Sequence, residues 1–453
     1  AFAIGFAFLL TPSGWLVRII SPWLTGWDLP PNFVFVHGPG GFALMLALVC
    51  KEVFFLMLML WAALEQIRVE RLMTVARSLG YSRVAAWIKV VFPMVYKQIR
   101  LPVYAVLAYG VSVVDMSLVL GPTLPPTFSV LVLQWAQDPD FATRAQAAAG
   151  ATLLLFCVVA VITGWRMGEA LVAWCARRWL SRGGRRFADP FVQTLSGVLF
   201  GLVLAVSVGS FLALVAWSFA GAWRFPDALP ATFSLDAWFR HGTALGGHLI
   251  TTMILAFSSA GIALFVVIGC LENERWHGAN LSRRSLFLLY LPLIVPQISF
   301  LFGLQIALVV MNLDGTWAAV IWSHLVFVLP YAFLVLSDPY RALDERYART
   351  ASTLGASPAR VFWRVRLPLL IGPIAITFAV AFAVSVTQYL ATLLPGAGQL
   401  PTLATEAIIL SSGGDRRVVG VYGVAQMVLP LLVFAAAAWI SAKCTWHKQV
   451  VTG

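Results

Sequence analysis

The sequence predicts an all-α integral membrane protein, a polytopic helix bundle of two tandem homologous units with ten spans. Three observations predict it. Hydrophobic residues fill 60% of 453 positions and charged residues only 11%, against roughly 25% charged in a soluble domain. The apolar residues form long unbroken runs, not the alternating ~10-residue segments of a barrel. One polar, basic stretch occurs twice, 275 positions apart.

The runs fall at 1–19, 41–64, 94–119, 146–166, 193–219, 246–270, 285–311, 316–337, 369–393 and 421–442. Each must bond its backbone amides within its own segment, which selects helices. Net charge is +12, and its placement gives topology instead of a nucleic-acid partner. The side bearing the two repeated stretches also receives 165–190, 271–284 and the C-terminus. It collects 24 of the 31 Lys and Arg residues, so it is expected to be cytoplasmic. The five cysteines (Cys50, Cys157, Cys175, Cys270, Cys444) are isolated and read as small packing residues. The chain begins at Ala1 inside an apolar run, without a basic leader.

The repeated stretch reads Ala76-Arg77-Ser78-Leu79-Gly80-Tyr81-Ser82-Arg83 in one copy and Ala351-Ser352-Thr353-Leu354-Gly355-Ala356-Ser357-Pro358 in the other. After each glycine comes an aromatic at +7 (Trp87, Phe362), a valine at +10 (Val90, Val365) and a proline at +13 (Pro93, Pro368). Both copies read as helix-turn-helix. A helix over 66–79 stops at Gly80, where glycine supplies positive φ or close approach to a partner. Ser82 and Ser357 cap a second helix, with Pro358 at its first position. Pro93 and Pro368 end the loop and open the next span. Further on, Ser112-Val113-Val114-Asp115 matches Ser385-Val386-Thr387-Gln388, and Pro126-Thr127 matches Pro401-Thr402.

Two spans precede the stretch in the first half, but four precede it in the second. The expected organisation is therefore a first unit over 1–168 lacking its first two spans, a basic linker over 169–190, and a second unit over 191–453. Gly183-Gly184 and the arginines from Arg177 to Arg186 mark the linker as a surface connector. Units of the same orientation are related by an axis along the membrane normal.

The two stretches resemble the EAA loop of permease subunits in binding-protein-dependent ABC importers, broadly EAA-x3-G-x9-I-x-LP. The match runs Val75-Ala76…Gly80…Val90…Phe92-Pro93 and Thr350-Ala351…Gly355…Val365…Leu367-Pro368. The family's glutamate is absent, with Thr74 and Arg349 in its place. The single-chain tandem resembles the fused iron(III)- and thiamine-type permeases. The resemblance implies that each loop is a coupling helix seated in a groove of an ATPase subunit. It implies two copies of that ATPase, which bind ATP and Mg, and a periplasmic solute-binding protein. It also implies a multi-pass location in the bacterial inner membrane. Arg77, Arg83, Arg346 and Arg360 would pair with an acidic rim. Trp87 and Phe362 would anchor in a pocket or pack on their own spans.

No lysine follows a glycine, so the chain has no GxxxxGK[ST] phosphate loop, and it carries neither HExxH nor GxSxG. It is expected to be a transport subunit without catalytic residues, cofactor or metal of its own. The ionisable residues inside spans are the remaining candidates for function. Lys51 and Glu52 lie in the run 41–64 and Asp115 in 94–119, with Gln388 at the matched position and Glu406 toward the outer mouth. Adjacent helical residues point about 100° apart, so Lys51 and Glu52 need not pair. An Asp115–Glu52 lining suits a cationic solute, and interhelical polar contact is the alternative. As competing classes, an ion-coupled secondary transporter would repeat a broken membrane helix, and a membrane enzyme would cluster polar residues at one interface. An ABC exporter or lipid-handling permease differs only through partners.

Overall fold

The computed structural model describes residues 1–181, 183–185, 189–278 and 281–452, without the side chains of Phe141, Arg283 and 444–452. Arg182 and Arg186 of the linker, and the Cys444 side chain, lie outside the described residues. Among those described, the elements are helical apart from two isolated bridges, Thr123 with Pro126 and Ala220 with Phe233.

Nine helices among the described residues are long and apolar enough to cross a membrane. They are Phe2–Ile20, Phe42–Glu65, Arg83–Ser112, Ala142–Ser181, Asp189–Ser218, Gly242–His277, Trp317–Arg341, Pro358–Val386 and Arg416–Lys443. The tenth expected span, 285–311, is a bent pair. Arg284–Leu293 and Gln297–Val310 meet at 99°, around a break that contains Pro296.

Two expected spans end early. The helix before Asp115 stops at Ser112, because Val113 turns extended (φ −61°, ψ 131°). The Val113 carbonyl accepts from the hydroxyls of Ser117 and Ser129 at 2.8 Å each, so the break leaves it satisfied. Asp115 thus opens a new short helix, Asp115–Leu120, instead of lying within the span. The second copy breaks after Val386 and restarts at Leu390. This register sets Asp115 opposite Leu390, two positions from the Gln388 that motif matching pairs with it.

From Phe42 onward the element starts repeat 275 or 276 positions later. Phe42–Glu65 returns as Trp317–Arg341, Val69–Ser78 as Glu345–Thr353, and Arg83–Ala86 as Pro358–Val361. Phe92–Ser112 returns as Leu367–Val386, and Phe128–Gln137 as Leu403–Ser411.

By contacts the chain forms two compact units. The first comprises Phe2–Ser234 with Ile294–Ser299. In it the helix Phe2–Leu10 lies along Asp189–Ser218, so closely that a Cβ on Gly5 would stand 2.3 Å from the Ser210 carbonyl oxygen. The helix after the linker therefore packs with the first helix of the chain. Ala63, Val91, Val95 and Ile99 form a small core elsewhere in this unit. The second unit comprises Ala1, Leu235–Leu293 and Phe300–Gly453. Its core joins Ala256, Ala260 and Ala263 with Val328, Ala332, Leu336 and Phe382. Helices gain little hydrophobic drive within lipid, so small residues that admit close packing hold such a core. His324 is buried and bonds Ser385 Oγ at 2.7 Å and Thr392 Oγ1 at 2.9 Å.

Candidate docking loops and intramembrane charges

The two repeated loops share one backbone design. The helix Val69–Ser78 ends at Gly80 with φ +84°, and Glu345–Thr353 ends at Gly355 with φ +81°. In the first loop Tyr81 N–H donates to the Ala76 carbonyl at 3.2 Å and Gly80 N–H to Arg77 at 2.9 Å. In the second, Ala356 N–H donates to Ala351 and Gly355 N–H to Ser352, both at 3.0 Å. This is the Schellman arrangement, which needs a residue in the left-handed region. A Cβ on Gly355 would meet nothing within 4 Å, and one on Gly80 only the Arg185 side chain from 3.6 Å. Within the chain itself, conformation therefore requires the glycine, and no close packing does.

Ser82 and Ser357 then cap the next turn, accepting from Ala85 N–H and Arg360 N–H at 3.4 Å each. That turn is the start of the membrane helix, which differs from the expected stop at proline. Pro93 and Pro368 sit in the first turn of Phe92–Ser112 and Leu367–Val386. Proline lacks an N–H and crowds the carbonyl four residues back. The chain accommodates it with a π turn before each, Trp87–Val91 and Phe362–Arg366, and continues unbroken.

Arg77, Arg83, Arg346 and Arg360 are exposed, as are Pro93 and Pro368; Ala76 is buried and Ala351 half-buried. Trp87 is half-buried against the Ala63–Val91 core. Phe362 is half-buried and edge-on to Trp363, at 5.2 Å between centroids. Among the exposed apolar groups of the loops are Leu79 and Leu354, each just before its glycine, and Trp363. Sequence reasoning passed over them, although leucine repeats at the same position. It also passed over a carboxylate one turn before the missing glutamate, Glu70 and Glu345. Arg349, in the glutamate's place, pairs with Glu345 at 2.8 Å, and its hydrogen bond holds that carboxyl below the usual range. Thr74 instead donates to the Glu70 carbonyl at 2.8 Å.

The braces behind the loops differ. Behind the first, Glu169 accepts from Tyr96 at 2.7 Å and Arg100 Nε at 2.9 Å. The linker also folds onto this loop: Ser82 N–H donates to the Arg185 carbonyl at 2.8 Å, and Asp189 accepts from Ser82 Oγ at 2.8 Å. Asp189 also accepts from Val84 N–H at 3.3 Å, and Lys89 donates to the Gly184 carbonyl. Behind the second loop, Glu272 accepts from Tyr340 and Arg366, and Glu274 pairs with Arg341 at 3.0 Å.

Three of the five intramembrane candidates come together in the first unit. Lys51 Nζ stands 3.5 Å from Glu52 Oε1 and 3.9 Å from the centre of the Tyr109 ring. Tyr109 OH donates to Asp115 Oδ1 at 3.4 Å. Lys51 and Glu52 do pair, because the flexible lysine stem turns its ammonium back. Gln388 is buried after the helix Leu367–Val386 of the second unit. Glu406 lies in the first turn of Leu403–Ser411, behind a Thr402–Thr405 capping box.

Long apolar helices joined by two capped loops of one design define a polytopic membrane transport subunit. The chain belongs to the permease proteins of ABC transporters, and residues 261–444 match the family described as "Binding-protein-dependent transport system inner membrane component". It is 32% identical to the inner membrane ABC transporter permease protein YnjC of Escherichia coli, over 98% of this chain and 79% of that protein. It is 27% identical to a protein of Salmonella typhi provisionally named the 2-aminoethylphosphonate transport system permease PhnV, over 48% and 82%. It is also 26% identical to the spermidine/putrescine transport system permease protein PotC homolog of Mycoplasma pneumoniae, over 48% and 81%.

Proposed function

We propose that this permease imports a small cationic solute, driven by two copies of a separate ATPase that dock one on each repeated loop. The observation that carries the reading is the twin geometry, one Schellman glycine, one serine cap and one π turn in each copy. A docking element that transmits force must be stiff and must run into a membrane helix, and both loops do. ATP and Mg bind the partner ATPase. A periplasmic solute-binding protein delivers the solute on the opposite face. The loops and the C-terminus face the cytoplasm, in keeping with the basic-residue asymmetry.

The 275-residue register supports two fused tandem units joined at 169–190, as in thiamine- or iron(III)-type permeases. The solutes in the names of the PhnV and PotC relatives carry amino groups; spermidine and putrescine are cations, as thiamine is, whereas 2-aminoethylphosphonate pairs its ammonium with an anionic phosphonate. The test is native mass spectrometry of the complex purified on a tagged copy of this chain. One chain with two identical ATPase subunits is expected. Recovery of the chain without any ATPase overturns the reading.

A further inference from the structure

We propose that Tyr109, Glu52 and Asp115 form an ammonium-binding site in the membrane, which the Lys51 side chain fills when no solute is bound. The inference rests on the permease reading above and adds the solute's chemistry and its contact point.

An ammonium already sits in this site. Lys51 Nζ lies 3.9 Å from the centre of the Tyr109 ring, within cation–π range. One carboxylate, Glu52, stands 3.5 Å from it. A second, Asp115, accepts from the hydroxyl of the same tyrosine at 3.4 Å. An aromatic face flanked by carboxylates is the chemistry that receives an alkylammonium. With Lys51 inside, the cluster holds two negative charges and one positive. With Lys51 swung out, an ammonium over the Tyr109 ring meets Glu52, and Asp115 stands beyond the ring's hydroxyl, where the second ammonium of a diamine can approach it.

The occupant is able to leave. The Lys51 side chain is 41% exposed, and its methylene stem lets the ammonium swing away without moving the helix. Lys51 lies well inside the apolar helix Phe42–Glu65, where facing lipid is expensive for a charge. Intramembrane charges of this kind face protein or a water-filled cavity. Asp115 reaches the cluster because the preceding helix breaks at Val113, so the break itself builds the site. At the positions corresponding to Lys51, Glu52, Tyr109 and Asp115 the second copy has Val326, Phe327, Val384 and Leu390. The cluster therefore has no counterpart at the repeat-related positions.

The test uses the purified full chain in nanodiscs of phosphatidylglycerol, a lipid without an amine. Titration with 1,4-diaminobutane, with succinate and sodium chloride as controls, gives the affinity. Binding of the diamine alone is expected. Lys51→Ala removes the competing ammonium and should tighten binding about tenfold. Glu52→Gln, Asp115→Asn and Tyr109→Leu should each weaken it about tenfold, with Tyr109→Phe weakening it less than Tyr109→Leu. The unmutated chain supplies a second readout. Tetramethylammonium, which cannot react, should raise acetylation of Lys51 several-fold in peptide mass spectrometry.

A purely structural pair predicts the reverse sign for Lys51→Ala, no diamine binding and no change in Lys51 labelling. Those results overturn the site. Nanodiscs with added phosphatidylethanolamine separate a solute from a lipid headgroup: loss of diamine binding there overturns the solute assignment. Co-purification of the ATPase is scored on the same preparations. If it persists while the site fails, only this inference falls; if it is lost, the permease reading falls with it.

Discussion

The two loops have the same backbone and different supports. Gly80 and Gly355 share one φ within a few degrees, and Ser82 and Ser357 cap the same turn. Yet the first loop is clasped by the linker, through Asp189 and the Arg185 carbonyl, while a Cβ on the second glycine would face open space. The first is braced from Glu169 on the long helix Phe141–Ser181, and the second from Glu272 on Gly242–His277. The lesson is that the part which must be alike, the turn, is set by local sequence. The part free to vary, the anchorage, is set by whichever helix lies nearby.

The strongest test of the shared part is the double change Gly80→Val and Gly355→Val. A β-branched residue in the left-handed region costs about 1–3 kcal/mol at each site. ATPase recovered on the tagged chain should fall at least tenfold while membrane insertion is unchanged. Normal recovery from the double variant would remove the loops from docking. Because a shift of the turn at Gly80 also disturbs the linker bonds to Ser82 and Val84, which the second loop lacks among the described residues, the Gly80 change alone should have the larger effect.

The supports come next. Glu272→Ala strands Arg366 and Tyr340, and Glu169→Ala strands Arg100 and Tyr96. Removing one member of a largely buried pair such as Glu272–Arg366 costs about 3–5 kcal/mol. The Tm of the chain in nanodiscs should therefore fall for Glu272→Ala. It should fall less for Glu169→Ala, because the Arg100 side chain is more exposed than that of Arg366 and its charge is less confined. Hydrogen exchange should rise around 358–366 for the first and around 83–91 for the second. Exchange rising equally in both loops would contradict separate anchorage.

A smaller effect is expected from Asp189→Ala, which removes two part-buried bonds at the loop surface, from Ser82 Oγ and Val84 N–H, worth about 1–3 kcal/mol together. Only residues 82–86 should exchange faster, and the second loop should not respond. The smallest contrast lies between the caps. Ser357→Ala should cost about 1 kcal/mol, as cap removals do. Ser82→Ala should cost more, because it also removes the hydroxyl that donates to Asp189. Equal losses by chemical denaturation would show that the bond to Asp189 adds nothing.

The legible part of the molecule is the part fixed by local rules. Apolar runs near 20 residues report spans because the bilayer leaves the backbone no other partner. The glycine–serine–proline spacing reports the loop because φ, capping and the missing N–H act within a few residues of each other. Tertiary structure decided what depends on distant partners. Val113 ends its helix where Ser129 meets its carbonyl, and 285–311 bends by 99° instead of spanning straight. Asp189 clasps a loop 105 positions away. Lys51, Glu52 and Asp115 gather only because Tyr109, near the end of another helix, lies between them. Hydropathy and spacing carry no record of such meetings, because the energy of each contact exists only once two distant segments of the chain have been brought together.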